Sequence, residues 1–402
     1  MGMKPVVLAA LCLSAIAALS PAQAQKHYDP GVTDSQILLG HSIPLSGPAS
    51  ATAALGLAES DYFNMINDQG GVNGRKIKLL QLDDGYNPAR TLEAIRKLVE
   101  QDHVFLIYAT QGTPPNIAIQ KYLTVNKVPQ LFIGSGAGRW NDPKHFPWTI
   151  PVIPSYVAEA KIFAKYILAH KPDAKIAILY QNDDFGRDYF NGLKAGLGDK
   201  VKQLVAVQSY EATDPTISSQ IITLQSSGAD AFVIAAIPVQ AAQAIHKAAD
   251  LGWHPMMFLD YIANSPATTL KAAGHEQSTG VISTFFVRDP SDPQWQGTPA
   301  LADFEAWQKK YGADLSRDDP QNVNGYVLAQ LMVETLKRCG DNLTRANVIE
   351  QATHISNFAA KMLLPGVTIS YSPTDYSPFH KLQIEQFDGT RYRPLGAPVS
   401  ID

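Results

Sequence analysis

Lys175–Leu193 reads KIAILYQNDDFGRDYFNGL. An apolar, β-type run ends at Gln181, and two aspartates, an aromatic and a glycine then lead into a segment of helical character. Asp184-Phe185-Gly186 spells the magnesium-binding tripeptide of protein kinases. No glycine-rich nucleotide loop, lysine-bearing strand or H-R-D catalytic loop accompanies it, so a kinase is excluded. The stretch is instead a strand, a loop and a helix in succession. In an open α/β sheet such loops lie at the carboxyl ends of the strands, where ligands bind.

The same rhythm runs outward in both directions. Upstream, QILLGHSI from Gln36, KIKLLQLDD from Lys76, VFLIYAT from Val104 and VPQLFIG from Val128 read as strands. Helical segments separate them: GLAESDYFNMIND, which stops at Gly70-Gly71, NPARTLEAIRKLVEQD with Asn87 as N-cap and Pro88 at the first helical position, and a third beginning near Thr113. Downstream, SYVAEAKIFAKYILAHK, LVAVQSY, AFVIAAI, QAAQAIHKAADLG and MMFLD continue the alternation. Alternating strands and amphipathic helices predict parallel sheets covered on both faces. Two series of similar length predict two similar lobes, joined at the proline-rich FPWTIPVIPSY. VISTFFV and the helices LADFEAWQKKYG and NGYVLAQLMVETLKRC are expected to return to the first lobe, and VTISY and HKLQIEQFDG to form antiparallel strands with a turn at Asp388-Gly389. Within this scheme Asp183 and Asp184 cap a helix, and Phe185 either faces the space between lobes or joins the core.

Length and charge narrow the function. Lys4, the apolar run Val6–Leu19 and the small residues of Ala22-Gln23-Ala24 form a secretory signal with expected cleavage after Ala24. The run is shorter than the ~20 residues of a membrane-spanning helix. Cys12 within it raises a lipoprotein alternative, but Leu11 stands where a small residue is required. Removing Lys4 from the 33 basic residues leaves 32 against 37 acidic ones, a balance that argues against nucleic acid as partner. The ten histidines are scattered, without metal-ligand spacing, and GSGAG at Gly134 is not G-x-G-x-x-G, so neither metal nor cofactor is expected.

GVTDSQILLGHSIPLSGPASA, DQGGVNGRKIKLLQLDDGYNPARTLEAIRKLVEQD, LYQNDDFGRDYFNGL and NGYVLAQLMVETL, taken in order, resemble the type I periplasmic solute-binding proteins of the branched-chain amino acid transport family. The resemblance spans the mature chain. It implies two Rossmann-like lobes with parallel central sheets joined by three crossovers, with residues 25–150 and 281–368 in lobe 1 and residues 151–280 and 369–402 in lobe 2. It further implies a periplasmic monomer that closes on one small molecule and delivers it to the permease subunits of an ABC transporter.

The resemblance also implies a set of cleft residues. Ser46 forms a turn, and Thr110, Gln111, Gly112, Thr113, Gly134, Ser135 and Gly136 would grip a carboxylate with hydroxyls and backbone N–H groups at a helix N-terminus. Phe185, Ile237, Asp260 and Tyr261 would face them from lobe 2. Where the family places the acid that pairs with a ligand ammonium, this chain has Tyr261 or Ile262, with Asp260 displaced by one or two positions. A buried ammonium needs such a partner. An organic acid is therefore the expected ligand, with a branched-chain or other amino acid as the alternative.

Two other classes compete: an enzyme, against which stand the absence of a G-x-S-x-G elbow, a P-loop and a metal cluster, and a sensor subunit sharing the fold. Signal removal leaves Cys339 as the single thiol. Reducing agent is accordingly expected to leave the thermal midpoint of the mature protein unchanged, and a drop of several degrees in a melting scan would show a bridge that the cysteine count forbids.

Overall fold

The structure is a computed structural model that describes residues 1–2, 26–316 and 319–401. The signal segment, apart from Met1 and Gly2, and Cys12 with it, lies outside the described residues. Five parallel strands form the first sheet, in the order Lys76–Asp83, Gln36–Ile43, Leu106–Tyr108, Gln130–Ile133, Thr149–Pro151. A second sheet runs Leu204–Tyr210, Ile176–Gln181, Ala231–Ala235, Met256–Leu259, Ile282–Phe285, all parallel, and continues with the antiparallel Lys381–Phe387 and Tyr392–Pro394. Val399–Ser400 also pairs with Lys381–Phe387. These are the two α/β lobes that the alternation predicts.

Local chemistry sets the helix starts. Asn87 accepts from the N–H groups of Ala89 and Arg90, with Pro88 as the first helical residue. Asp183 accepts from Gly186 N at 3.2 Å and so starts the helix Asp184–Leu197. Proline likewise opens Pro238–Asp250, Pro299–Lys310 and Pro320–Cys339, where its missing N–H costs nothing.

Two expectations change. Ile282–Phe285 does not begin the return at residue 281; it joins the second sheet between Met256–Leu259 and Lys381–Phe387. Its residues are wholly buried, and a strand neighbour on each side, one parallel and one antiparallel, pairs the backbone groups that burial takes from water. The chain then crosses back, and the helices Pro299–Lys310, Pro320–Cys339 and Arg345–Thr353 cover the first lobe. Arg345 fixes the last of these by donating to the carbonyls of Phe105 and Val104 at 2.8 and 2.9 Å. VTISY forms no strand: Ile369 makes an isolated bridge to Phe358, and the Tyr371 hydroxyl donates to Pro151 O at 2.7 Å. That segment is spent tying one crossover to another.

In each lobe a glycine lets two helices approach closely. Gly192 lies between Asp184–Leu197 and Tyr156–His170, where a Cβ would stand 2.6 Å from Val157 O. Gly325 lies between Pro320–Cys339 and Ala53–Asp68, with a Cβ 2.4 Å from Leu55 O. Alanine at either position would gain up to ~1 kcal/mol of helix propensity. Prising the helices apart costs more, on the order of 1–3 kcal/mol. Gly192→Ala and Gly325→Ala are each expected to lower the urea midpoint; an unchanged or raised midpoint would mean that the pairs are looser than these distances state.

Candidate functional site

The connections from strand Gln36–Ile43 and from strand Ile176–Gln181 lead to neighbours on opposite sides, since each is flanked by strands reached in both directions. The divergence leaves a crevice at the carboxyl end of each sheet. The two crevices face each other and enclose a cavity of about 30 Å³, little more than a water molecule requires. Lobe 1 contributes Pro44, Ala49 and Thr52 after its first strand, Tyr86 after its second, Gln111, Gly112 and Thr113 after its third, and Gly134 after its fourth. Lobe 2 contributes Tyr156, Phe185, Ile237, Pro238 and Ile262.

Of the residues expected from the sequence, Gln111, Gly112, Thr113, Gly134, Phe185 and Ile237 thus line the cavity. The others do not. Ser46 is exposed, its hydroxyl donating to Asp83 at 2.6 Å to close a turn. Thr110 is buried and bonded to Asn116. Ser135 sits one layer back, accepting from Trp140 Nε1 at 2.6 Å and bonded to the Thr113 hydroxyl at 2.6 Å. Gly136 packs against the crossover, its carbonyl accepting from Tyr156 N at 3.0 Å. Tyr261 is turned toward the crossover as well, donating to Pro154 O at 2.9 Å.

Asp260 is also committed elsewhere. Its carboxylate accepts from the backbone N–H groups of Ala236 (2.8 Å), Ile262 (2.9 Å) and Ala263 (3.2 Å), and so shapes the loops behind the cavity. Among the described residues, no charged side chain lines the cavity itself. Burial pushes the Asp260 carboxyl up to about 8 despite its three N–H donors, and pushes Asp183 up to about 6. Nearby Glu159, buried with Tyr189 and Thr284 on its oxygens, is held well above the usual carboxylate range by the same desolvation.

The aromatic members were the hardest to foresee. Tyr156 opens the helix after the first crossover and packs edge-on against Phe185 at 4.9 Å, with its hydroxyl near Ser135 and Thr113. Tyr86 has a left-handed backbone, φ 61°, in the loop DDGYNP, and its hydroxyl accepts from Gln181 Nε2 across the cleft at 3.3 Å. Gly85 before it and Asn87-Pro88 after it were the available signal for a shaped turn. Two further contacts join the lobes at the rim: Arg139 donates to Asp184 at 2.8 Å, and Gly138 N donates to Asp188 at 2.7 Å. Trp140 is buried, with the Arg139 guanidinium 5.3 Å from its ring centre.

Two α/β lobes tied by crossovers and facing each other across a polar-rimmed, apolar cavity define a two-lobed receptor for a small solute. The chain belongs to the periplasmic binding protein family, whose sequence model, described as Periplasmic binding protein, matches residues 36–391. Its members bind solutes rather than transform them, and membership implies an exported, periplasmic protein. Among the described residues no helix is long and apolar enough to cross a membrane. The Leu/Ile/Val-binding protein homolog 7 of Brucella suis biovar 1 is 26% identical over 316 residues, 76% of this chain and 77% of that protein. Two solved structures share the fold. A branched chain amino acid ABC transporter protein from Thermus thermophilus with bound valine has a TM-score of 0.81 at 20% identity, covering 92% of this chain and 97% of that one. A fatty acid ABC transporter substrate-binding protein from Thermomonospora curvata has a TM-score of 0.77 at 22% identity, covering 93% and 95%.

Asp183 and Asp260 keep their protons in the folded chain at pH values where unfolded carboxyls, near 3.9, have lost them. Buried Glu385, pushed up to about 8, acts in the same direction. The stability that these groups contribute is complete below about pH 4 and is lost as pH rises through about 6 and about 8. Urea midpoints are expected to be higher near pH 5 than near pH 8.5, with the upper part of the slope flattened in Asp260→Asn. A midpoint rising over that range would show that these carboxyls are ionised in the fold.

Proposed function

We propose that this protein is the exported solute receptor of an ABC importer and that it captures a small carboxylate lacking an amine, an aliphatic or aromatic acid, by closure of its lobes. The observation that carries the reading is the commitment of Asp260 to three backbone N–H groups, beside a cavity with no charged side chain among the described residues. An ammonium in that cavity would be desolvated without a partner, at a cost of several kcal/mol. A carboxylate is better provided for. The helix Thr113–Val125 points its N-terminus at the cavity, and the hydroxyls of Thr113 and Tyr156 stand beside it. Ser135, held by Trp140, orients Thr113 from behind rather than touching the ligand. Phe185, Ile237 and Pro238 supply the apolar wall, where each buried Å² of ligand contributes about 25 cal/mol.

A second reading, a branched-chain or other amino acid as ligand, is favoured by the names of the Brucella relatives and by the valine in the Thermus structure. In both readings the partners are the permease subunits of the transporter, and the receptor works as a monomer. A thermal-shift panel separates the two. Ligand at a hundredfold excess over Kd stabilises by about 2.7 kcal/mol, a shift of several degrees. Amine-free monocarboxylates are expected to raise the midpoint, and leucine, isoleucine and valine to leave it in place; stabilisation by the amino acids alone would give the cleft to them.

A further inference from the structure

The cavity between the lobes does not end at its lining. The segment that supplies Ala49 and Thr52 to it supplies Pro48, Ser50 and Ala51 to a larger groove of about 370 Å³ at the cleft mouth. The helix that begins at Pro238 does the same from lobe 2: Pro238 lines both spaces, and Val239 and Ala242 line the outer one. The two spaces therefore adjoin at Pro238, and the groove, like the cavity, has one wall from each lobe.

The outer space has a marked chemistry. Its near walls carry the apolar Pro48, Ala51, Val239 and Ala242, with Ser50, Gln243 and His246 beside them. Its far wall is the wide helical turn Pro266–Leu270, where Thr268 and Thr269 line the groove. The hydroxyl of each is buried with no hydrogen-bond partner among the described residues, and Thr269 as a whole is 2% exposed. A buried hydroxyl left unpaired is costly and is tolerated where another molecule completes it. The inner cavity, moreover, is too small to enclose a whole organic acid with the lobes in this arrangement.

We infer that the outer groove is a subsite for the distal end of the ligand. The ligand class it selects is an elongated one, with a head group in the inner cavity, an unbranched apolar body passing Pro238, and a terminal hydroxyl or carbonyl that bonds to Thr268 and Thr269. This rests on the cleft being the ligand site, as proposed above, but not on whether the head group carries an amine.

The test measures affinities by calorimetry for two series on the mature protein. One contains butyrate, hexanoate, octanoate and ω-hydroxyoctanoate; the other contains the matching 2-amino acids. Affinity is expected to rise about fourfold per added methylene until the groove is filled. The terminal hydroxyl should add roughly three- to tenfold, lost in Thr269→Val. Ser50→Trp and Ala272→Trp place bulk in the groove from opposite lobes at exposed positions, and each should erase the gain with length while sparing butyrate. Binding of the short members with no gain in length overturns the subsite and leaves the cleft reading intact. A gain confined to the amino series supports the subsite and overturns the amine-free head group. Binding by neither series overturns both.

Discussion

A parallel sheet cannot join neighbouring strands by tight turns, and the structure depends on that constraint. Every connection must leave the carboxyl end of one strand and travel back along a helix to the amino end of the next. Where one connection goes left and its successor goes right, the helices separate and a crevice opens. In this chain that happens after Gln36–Ile43 and after Ile176–Gln181, once per lobe. The crossovers at Pro151–Tyr156 and beyond Phe285 hold the sheets so that the crevices oppose each other. Phe185 faces the cavity because the loop that carries it ends at such a point; an aromatic at the amino end of a strand would have met only helices.

Much of this was legible. Continuous apolar runs such as KIAILY and AFVIAAI read as fully buried strands because both of their faces are covered. Asn87-Pro88 and Asp183 marked helix starts through the hydrogen bonds that they go on to make. The failures share a physical origin in tertiary context. Nothing local distinguishes Ile282–Phe285, which pairs with one strand before it and one about a hundred residues later, from a strand of the first lobe. VTISY alternates as a strand does, but its buried side chains pack on a crossover where no sheet edge is available. Tyr156 belongs to the helical segment SYVAEAKIFAKYILAHK, yet its first-turn position places its hydroxyl near Thr113 and Ser135 of the other lobe.

The site holds a buried acid whose oxygens are taken up by the backbone. Asp260 lies within two residues of the position that a ligand-pairing carboxylate takes in the family that the sequence resembles. The distance that matters is angular: its oxygens turn back toward Ala236, Ile262 and Ala263. There it joins strand-end loops that carry Ile237 and Ile262 to the cavity wall. The polar interior of lobe 2 serves geometry, and the surface it presents to the cleft is uncharged among the described residues.

At the rim, Arg139 meets Asp184 with each side chain about a third exposed. Water and salt leave such a pair with no more than about 1 kcal/mol. Arg139 belongs to the first lobe and Asp184 to the second, so the pair exists only while the lobes are together. In a receptor that opens to release its ligand, such a pair enters the barrier to release rather than the encounter, and 1 kcal/mol there corresponds to about a fivefold longer residence time. If the receptor closes on its ligand as proposed, ionic strength becomes a clock: dilute surroundings lengthen the hold on the ligand and concentrated ones shorten it, with the cavity chemistry unchanged.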